Sequence, residues 1–131
     1  MIERAAIVLV AAAAIVFLAA GYSGAMAEDD LFNFGIRHPK PTAADVAHAE
    51  ALAKTAGRAT PGERRTLLLA PVLARGGRTQ EAVRRLRAAG KAEPENAEAW
   101  LLLSRAATGA EAKRAAQRVR ELAPRVPEPP G

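Results

Sequence analysis

The side chains able to do chemistry are few and scattered. His38 and His48 are the two imidazoles of the chain, and Asp45 lies one turn before His48. No third ligand stands at metal-site spacing, so the pair reads as part of a solvated helix surface. Ser23 and Ser104 are the two serines, and neither has a base in sequence reach that would make it a nucleophile. There is no cysteine, which excludes disulfides, thiolate zinc sites and cysteine nucleophiles. No glycine-rich loop precedes a Lys-Ser/Thr pair, and Arg75-Gly76-Gly77 reads as a helix end. The expectation is no enzyme, no cofactor and no metal. What the chain does carry is arginine. Residues 61–125 hold 14 Arg and Lys against 7 Asp and Glu, a local excess of +7 within a formal +5 for the whole. Guanidinium groups grip carboxylates and phosphates in pairs of hydrogen bonds. An arginine face would therefore suit an acidic peptide, an anionic lipid or a nucleic acid; the plainer reading is a solvated Arg/Ala surface.

The elements that must position these groups are helices. Half of the 131 residues are apolar and only 4% are aromatic. A core of Leu, Val and Ala suits helix-on-helix packing, and no stretch alternates with period two. The fold class expected is all-α, in one small domain with appendages.

Residues 5–27 form an uncharged run of 23 residues, about 34 Å as a helix and long enough to span a bilayer. Tyr22 would sit at the interface. Ala25-Met26-Ala27 followed by Glu28-Asp29-Asp30 also fits a secretory cleavage site. Two readings follow: an uncleaved single-pass anchor, which is preferred because Glu3 offsets Arg4, and a secreted chain cut after Ala27. Both keep the N-terminus cytoplasmic and place the remainder outside, which demotes nucleic acid as a partner. Residues 28–41 read as a linker. Its Leu31, Phe32, Phe34 and Ile36 would pack on the next helix or meet the membrane.

Five soluble helices are expected after the linker. Thr42 with Asp45 makes a capping box for a helix ending at Gly57. Thr60-Pro61-Gly62-Glu63 opens a second, ending at Arg75. A third runs from Thr79 to Gly90, a fourth from Asn96 to Thr108, and a fifth from about Ala110 to Ala123, stopped by Pro124. Short connections imply antiparallel neighbours. Residues 126–131 are a proline-rich tail.

The chain also repeats itself. "TLLLAPVL" (66–73) aligns with "WLLLSRAA" (100–107) at an offset of 34, and "AVRRLRAAGKAEP" (82–94) with "AKRAAQRVRELAP" (112–124) at an offset of 30. This pattern resembles the tetratricopeptide repeat. Trp100, Leu103 and Ser104 fill its large, Leu and small positions, with Leu69, Ala70 and Leu73 in the preceding unit. Ala82 with Leu86, and Ala112 with Ala116, stand at its A-x3-F positions, and Pro94 and Pro124 end the units. The second repeat is about four residues short, Ala107 replaces an aromatic, Pro71 interrupts a helix, and residues 42–57 look like half a unit with Ala49 and Ala53 in place. The resemblance covers roughly residues 42–125 and implies a short helical-hairpin solenoid. Trp100 would wedge against the helix ending at Gly90. The resemblance further implies a peptide-binding concave face, here Arg64, Leu67, Arg75, Leu101 and Arg105, for an acidic segment or a terminal carboxylate. With so few units, self-association or docking on a larger membrane protein also fits. The function expected is a membrane-anchored extracytoplasmic adaptor or scaffold in a cell-envelope complex, with a secreted peptide-binding module as the alternative. A basic nucleic-acid-binding helical protein stands third.

Overall fold

The computed structural model describes residues 2–57 and 62–123, with side chains from Ile7 onward. They form six helices, with no strand among the described residues: α1 (Ile2–Arg37), α2 (Ala43–Ala56), α3 (Arg64–Arg75), α4 (Thr79–Ala92), α5 (Ala97–Ala106) and α6 (Gly109–Leu122). Consecutive pairs fold back as three hairpins, α1–α2, α3–α4 and α5–α6. The odd helices α1, α3 and α5 pack side by side, and α2 and α4 each lean on the odd helix that follows.

The first correction to the sequence reading concerns α1. Residues 28–37, expected as a linker, are the last turns of the same helix that begins at Ile2. Glu28, Asp29 and Asp30 are charged but leave the backbone free to stay helical. The first residue that cannot continue the helix is Pro39, and α1 ends at Arg37, just ahead of it. The helix has two environments. From Ile7 to Tyr22 every large apolar side chain stands 66–78% exposed, on all sides. A helix apolar all round belongs in an apolar surrounding, and α1 is long and apolar enough to cross a membrane. Beyond that stretch Ala27 and Leu31 are buried, Leu31 completely, and Phe34 packs on the core. The last turns of α1 thus serve as the first helix of the first hairpin. That supplies the missing partner for residues 42–57, which had read as half a unit.

The other helix boundaries follow local chemistry. The expected capping box holds α2: the Asp45 N–H donates to Thr42 Oγ1 (3.2 Å) and the Thr42 N–H to Asp45 Oδ2 (2.7 Å). The Thr42 backbone N–H, and after it the Thr42 hydroxyl, which donates to the same Oδ2 at 2.8 Å, hold the Asp45 carboxyl below the usual carboxylate range. Thr60 and Pro61 lie outside the described residues. The cap position of α3 is taken by Glu63, whose backbone N–H donates to Glu93 Oε1 (3.3 Å). Pro71 sits inside α3 without ending it. Asn96 caps α5 by accepting from the Glu98 and Ala99 N–H groups.

A second correction is that α4 does not close at Gly90 but runs on to Ala92. Gly90 is a buried residue in its last turns, and a Cβ there would stand 3.1–3.2 Å from three atoms of the Trp100 ring. Glycine is the residue that lets the ring lie on the helix backbone. The ring is held from its other edge, where Nε1 donates to the Pro94 carbonyl at 2.9 Å. Trp100 is only partly buried, less than its expected wedge position implied.

The core is the alanine–leucine packing the composition called for. Leu73, Leu86, Leu103 and Val72 are its largest enclosed side chains besides Leu31. Ala49, Ala53, Ala70, Ala82, Ala89 and Ala99 let the helices approach closely. In α6 the buried alanine is Ala115 rather than Ala112, which is half-exposed. Pro94 is exposed and Ser104 half-buried, its hydroxyl donating to the Leu101 carbonyl at 2.7 Å. Pro124 lies outside the described residues.

Candidate functional site

The odd helices line one face of the stack, and the face is grooved. Two clefts of about 230 and 220 Å³ share Pro71, Arg75 and Leu102, forming one trough between α1, α3 and α5. Its α1 wall is Phe32 and Ile36, which remain 51% and 64% exposed. Its floor includes Leu68 on α3 and Leu102 on α5, with Ala74 and Ala106 at the far end. Leu68 and Leu102 are 34 residues apart, so the same repeat position is used twice.

Two guanidiniums and one carboxylate edge this apolar surface. Arg75 and Arg105 face the cleft between α3 and α5, and Glu98 stands on the α1 side. Arg75 also donates through Nη2 to the Gly35 carbonyl at 2.7 Å. That oxygen belongs to the last turn of α1, where intrahelical donors run out, so the bond satisfies an orphan acceptor and ties α3 to α1. A Cβ at Gly35 would stand in ordinary contact with Val72 and Arg75, at 3.5 and 3.7 Å.

The residues assigned to the concave face by resemblance do not all converge. Arg75 and Arg105 line the trough together. Leu67 reaches the α1 end of it but is 4% exposed and belongs mainly to the core. Arg64 sits at the start of α3, where its Nε lies 3.8 Å from Glu28 of α1. Leu101 is half-buried and lines neither cleft. Of the apolar members, Phe32 and Ile36 were expected to pack on the next helix or meet the membrane and Pro71 to interrupt a helix, while Leu68 and Leu102 were not singled out from sequence. For Leu68 and Leu102 the repeat offset was the available signal.

The opposite face carries charge instead. Arg78, at the start of α4, bonds both Glu50 of α2 (2.9 Å) and Glu81. Arg85 bonds Glu81 (2.9 Å), and Arg87 reaches Glu111 of α6 (2.6 Å). The Arg85 and Arg78 guanidiniums hold the Glu81 carboxyl below its ordinary range, and Arg87 does the same for Glu111. The arginines of these pairs are exposed, so solvent screens the attraction. The histidines lie elsewhere, between α1 and α2. The His38 ring stacks on Phe34 at 3.9 Å, with Phe34 also 5.1 Å from His48. His38 Nε2 is 3.9 Å from Asp45, and no group of three metal-ligating side chains occurs among the described residues.

No family model, no curated protein and no solved structure matches the chain.

Proposed function

We propose that the chain is a single-pass, membrane-anchored adaptor of tetratricopeptide-like design. Its hairpin stack stands on the extracytoplasmic side and holds a segment of a protein partner in the α1–α3–α5 trough. The observation that carries this reading is the double use of α1. One unbroken helix is apolar all round from Ile7 to Tyr22 and then walls an exposed apolar trough with Phe32 and Ile36. An exposed apolar surface with a few convergent polar groups is the usual form of a binding site. Arg75 and Arg105 beside it favour a segment bearing a carboxylate. The secreted alternative fits less well, because the cut after Ala27 would fall inside a continuous helix at a residue that is 5% exposed.

The test places a photo-crosslinking residue at Leu102 of the full chain in its native membranes, with a control at Arg84 on the outer face of α4. A discrete adduct from position 102, absent from position 84 and lost when Arg75 and Arg105 are reversed to Glu, is the expected result. Adducts that survive the charge reversal would remove the trough from the account. Intact mass of the recovered chain reports on the anchor: a mass beginning at Glu28 replaces the adaptor with a secreted module.

A further inference from the structure

Apart from the trough, the described residues form a cationic recess of about 470 Å³ on the opposite face. Here α2 and α4 do not pack against each other, and α3 forms the floor. Lys54 of α2, Arg65 of α3 and Arg85 of α4 project into it, with Gly57 and Thr66 between them. The one acid in the lining, Glu50, is already bonded to Arg78, and Arg85 is itself bonded to Glu81, which leaves Lys54 and Arg65 as the cations of the recess. None of the seven ion pairs among the described residues uses Lys54 or Arg65. The Arg65 guanidinium lies directly against Gly57, at the end of α2.

The height of this recess is fixed by α1. Helix α2 runs back antiparallel to α1 from Ala43, so at the same rise of ~1.5 Å per residue Lys54 comes level with about Met26. The Arg64–Glu28 ion pair independently sets the first turn of α3 level with the first charged residue after the uncharged run. Lys54 and Arg65 therefore stand where α1 leaves the hydrocarbon, which is the layer of lipid phosphates. Three carboxylates at this height are engaged or line another cleft, while Asp29 stands exposed. Glu28 pairs with Arg64, Glu93 accepts from the Glu63 N–H and from Asn96, and Asp30 lines a separate cleft with Asn33 and His48.

We infer that Lys54 and Arg65 form a site for the phosphate headgroup of an anionic phospholipid. The shared chemistry is a phosphate monoanion held by one ammonium and one guanidinium. The lipid is preferred to a free anion because the site is at headgroup depth. A headgroup held there would fix the rotation of the domain about α1 and leave the trough facing a constant direction along the membrane. The site rests on the anchor reading above.

The chain has no cysteine, so Thr66→Cys introduces a single thiol in the recess wall. Its maleimide labelling is measured on the full chain in nanodiscs of phosphatidylcholine and in discs containing phosphatidylglycerol. Labelling is expected to slow roughly thirty-fold in the anionic discs, as two cations at ~1 kcal/mol each imply. Lys54→Gln with Arg65→Gln should abolish the difference, while Lys113→Gln with Arg114→Gln on α6 should preserve it. Equal rates in both discs overturn the site, as does loss of the difference in the α6 variant. Slowing in phosphatidylcholine discs by added inorganic phosphate alone would make it a free-anion site and overturn the lipid assignment. Release of the chain from native membranes by alkali would defeat the anchor reading instead, so the two failures are distinguishable.

Discussion

The contact between Trp100 and Gly90 makes a quantitative prediction because its two halves pull in opposite directions. Alanine in place of glycine inside a helix ordinarily stabilises by about 1 kcal/mol. Here the added Cβ would meet three ring atoms at 3.1–3.2 Å, where carbon contacts prefer ~3.5–4.0 Å. The ring must retreat by about half an ångström, against its 2.9 Å hydrogen bond to the Pro94 carbonyl. Overpacking of this kind costs ~1–3 kcal/mol. Gly90→Ala in the native chain should therefore be neutral or destabilising by up to about 2 kcal/mol. Trp100→Ala alone should cost about 2–3 kcal/mol, below the range for a fully buried ring because the indole is partly exposed. In the Trp100→Ala background the clash is gone, and Gly90→Ala should recover its full stabilisation of about 1 kcal/mol. The cycle thus predicts a coupling of ~1–3 kcal/mol, measured by urea unfolding of the full chain in mild detergent and followed by far-ultraviolet circular dichroism. If Gly90→Ala stabilises by the same amount in both backgrounds, the ring does not rest on Gly90 and the α4–α5 packing is misread.

Other expectations follow from the same geometry. Leu31→Ala should cost ~2–5 kcal/mol of unfolding free energy because Leu31 is completely enclosed, whereas Ile7→Ala should leave the urea midpoint unchanged; equal effects would detach α1 from the domain. Thr42→Ala should cost about 1 kcal/mol through loss of the α2 cap, read in the same assay. Acid should destabilise the stack in a defined direction. Asp45, Glu81 and Glu111 all titrate below their ordinary range when folded, so their contribution is complete above that range and is lost as pH falls through the folded-state values. Thermal midpoints should decline between about pH 5 and pH 3, and less so in the Asp45→Asn/Glu81→Gln/Glu111→Gln triple variant.

The sequence carried the helices well because their signals are local. Thr42 with Asp45, Asn96, and Gly76-Gly77 each act within a few residues of the boundary they set. The helical fold class likewise follows from an Ala/Leu composition without period-two runs. Legibility failed where the deciding contact was distant. Gly90 looked like a helix stop, and what makes it a helix interior is a ring ten residues on. The charges at 28–30 looked like the end of an anchor, yet charge ends a membrane span without ending a helix. Contacts with the stack, Leu31 enclosed by it and the Gly35 carbonyl bonded by Arg75, show that α1 continues as structure. The arginines were the least readable. Arg64, Arg75 and Arg105 share a residue type, but one pairs with α1, one bonds a carbonyl, and one edges the trough. A side chain that long can turn to several neighbours, and periodicity does not say which.

The continuity of α1 also bears on what holds the first hairpin together. Residues 28–37 alone are ten residues, and isolated helices shorter than ~12–15 residues are marginal in water. As the end of a 36-residue helix the same segment needs no nucleation of its own, because the preceding turns are already formed. In a membrane those turns are obligatory, since every backbone N–H and C=O in hydrocarbon must be bonded within the helix. A bilayer around α1 would thereby enforce the helix that α2 and α3 pack against. Cutting after Ala27 would remove this support along with a buried residue. The physical case for an uncleaved anchor therefore rests less on the cleavage motif than on the dependence of the first hairpin on the helix that precedes it.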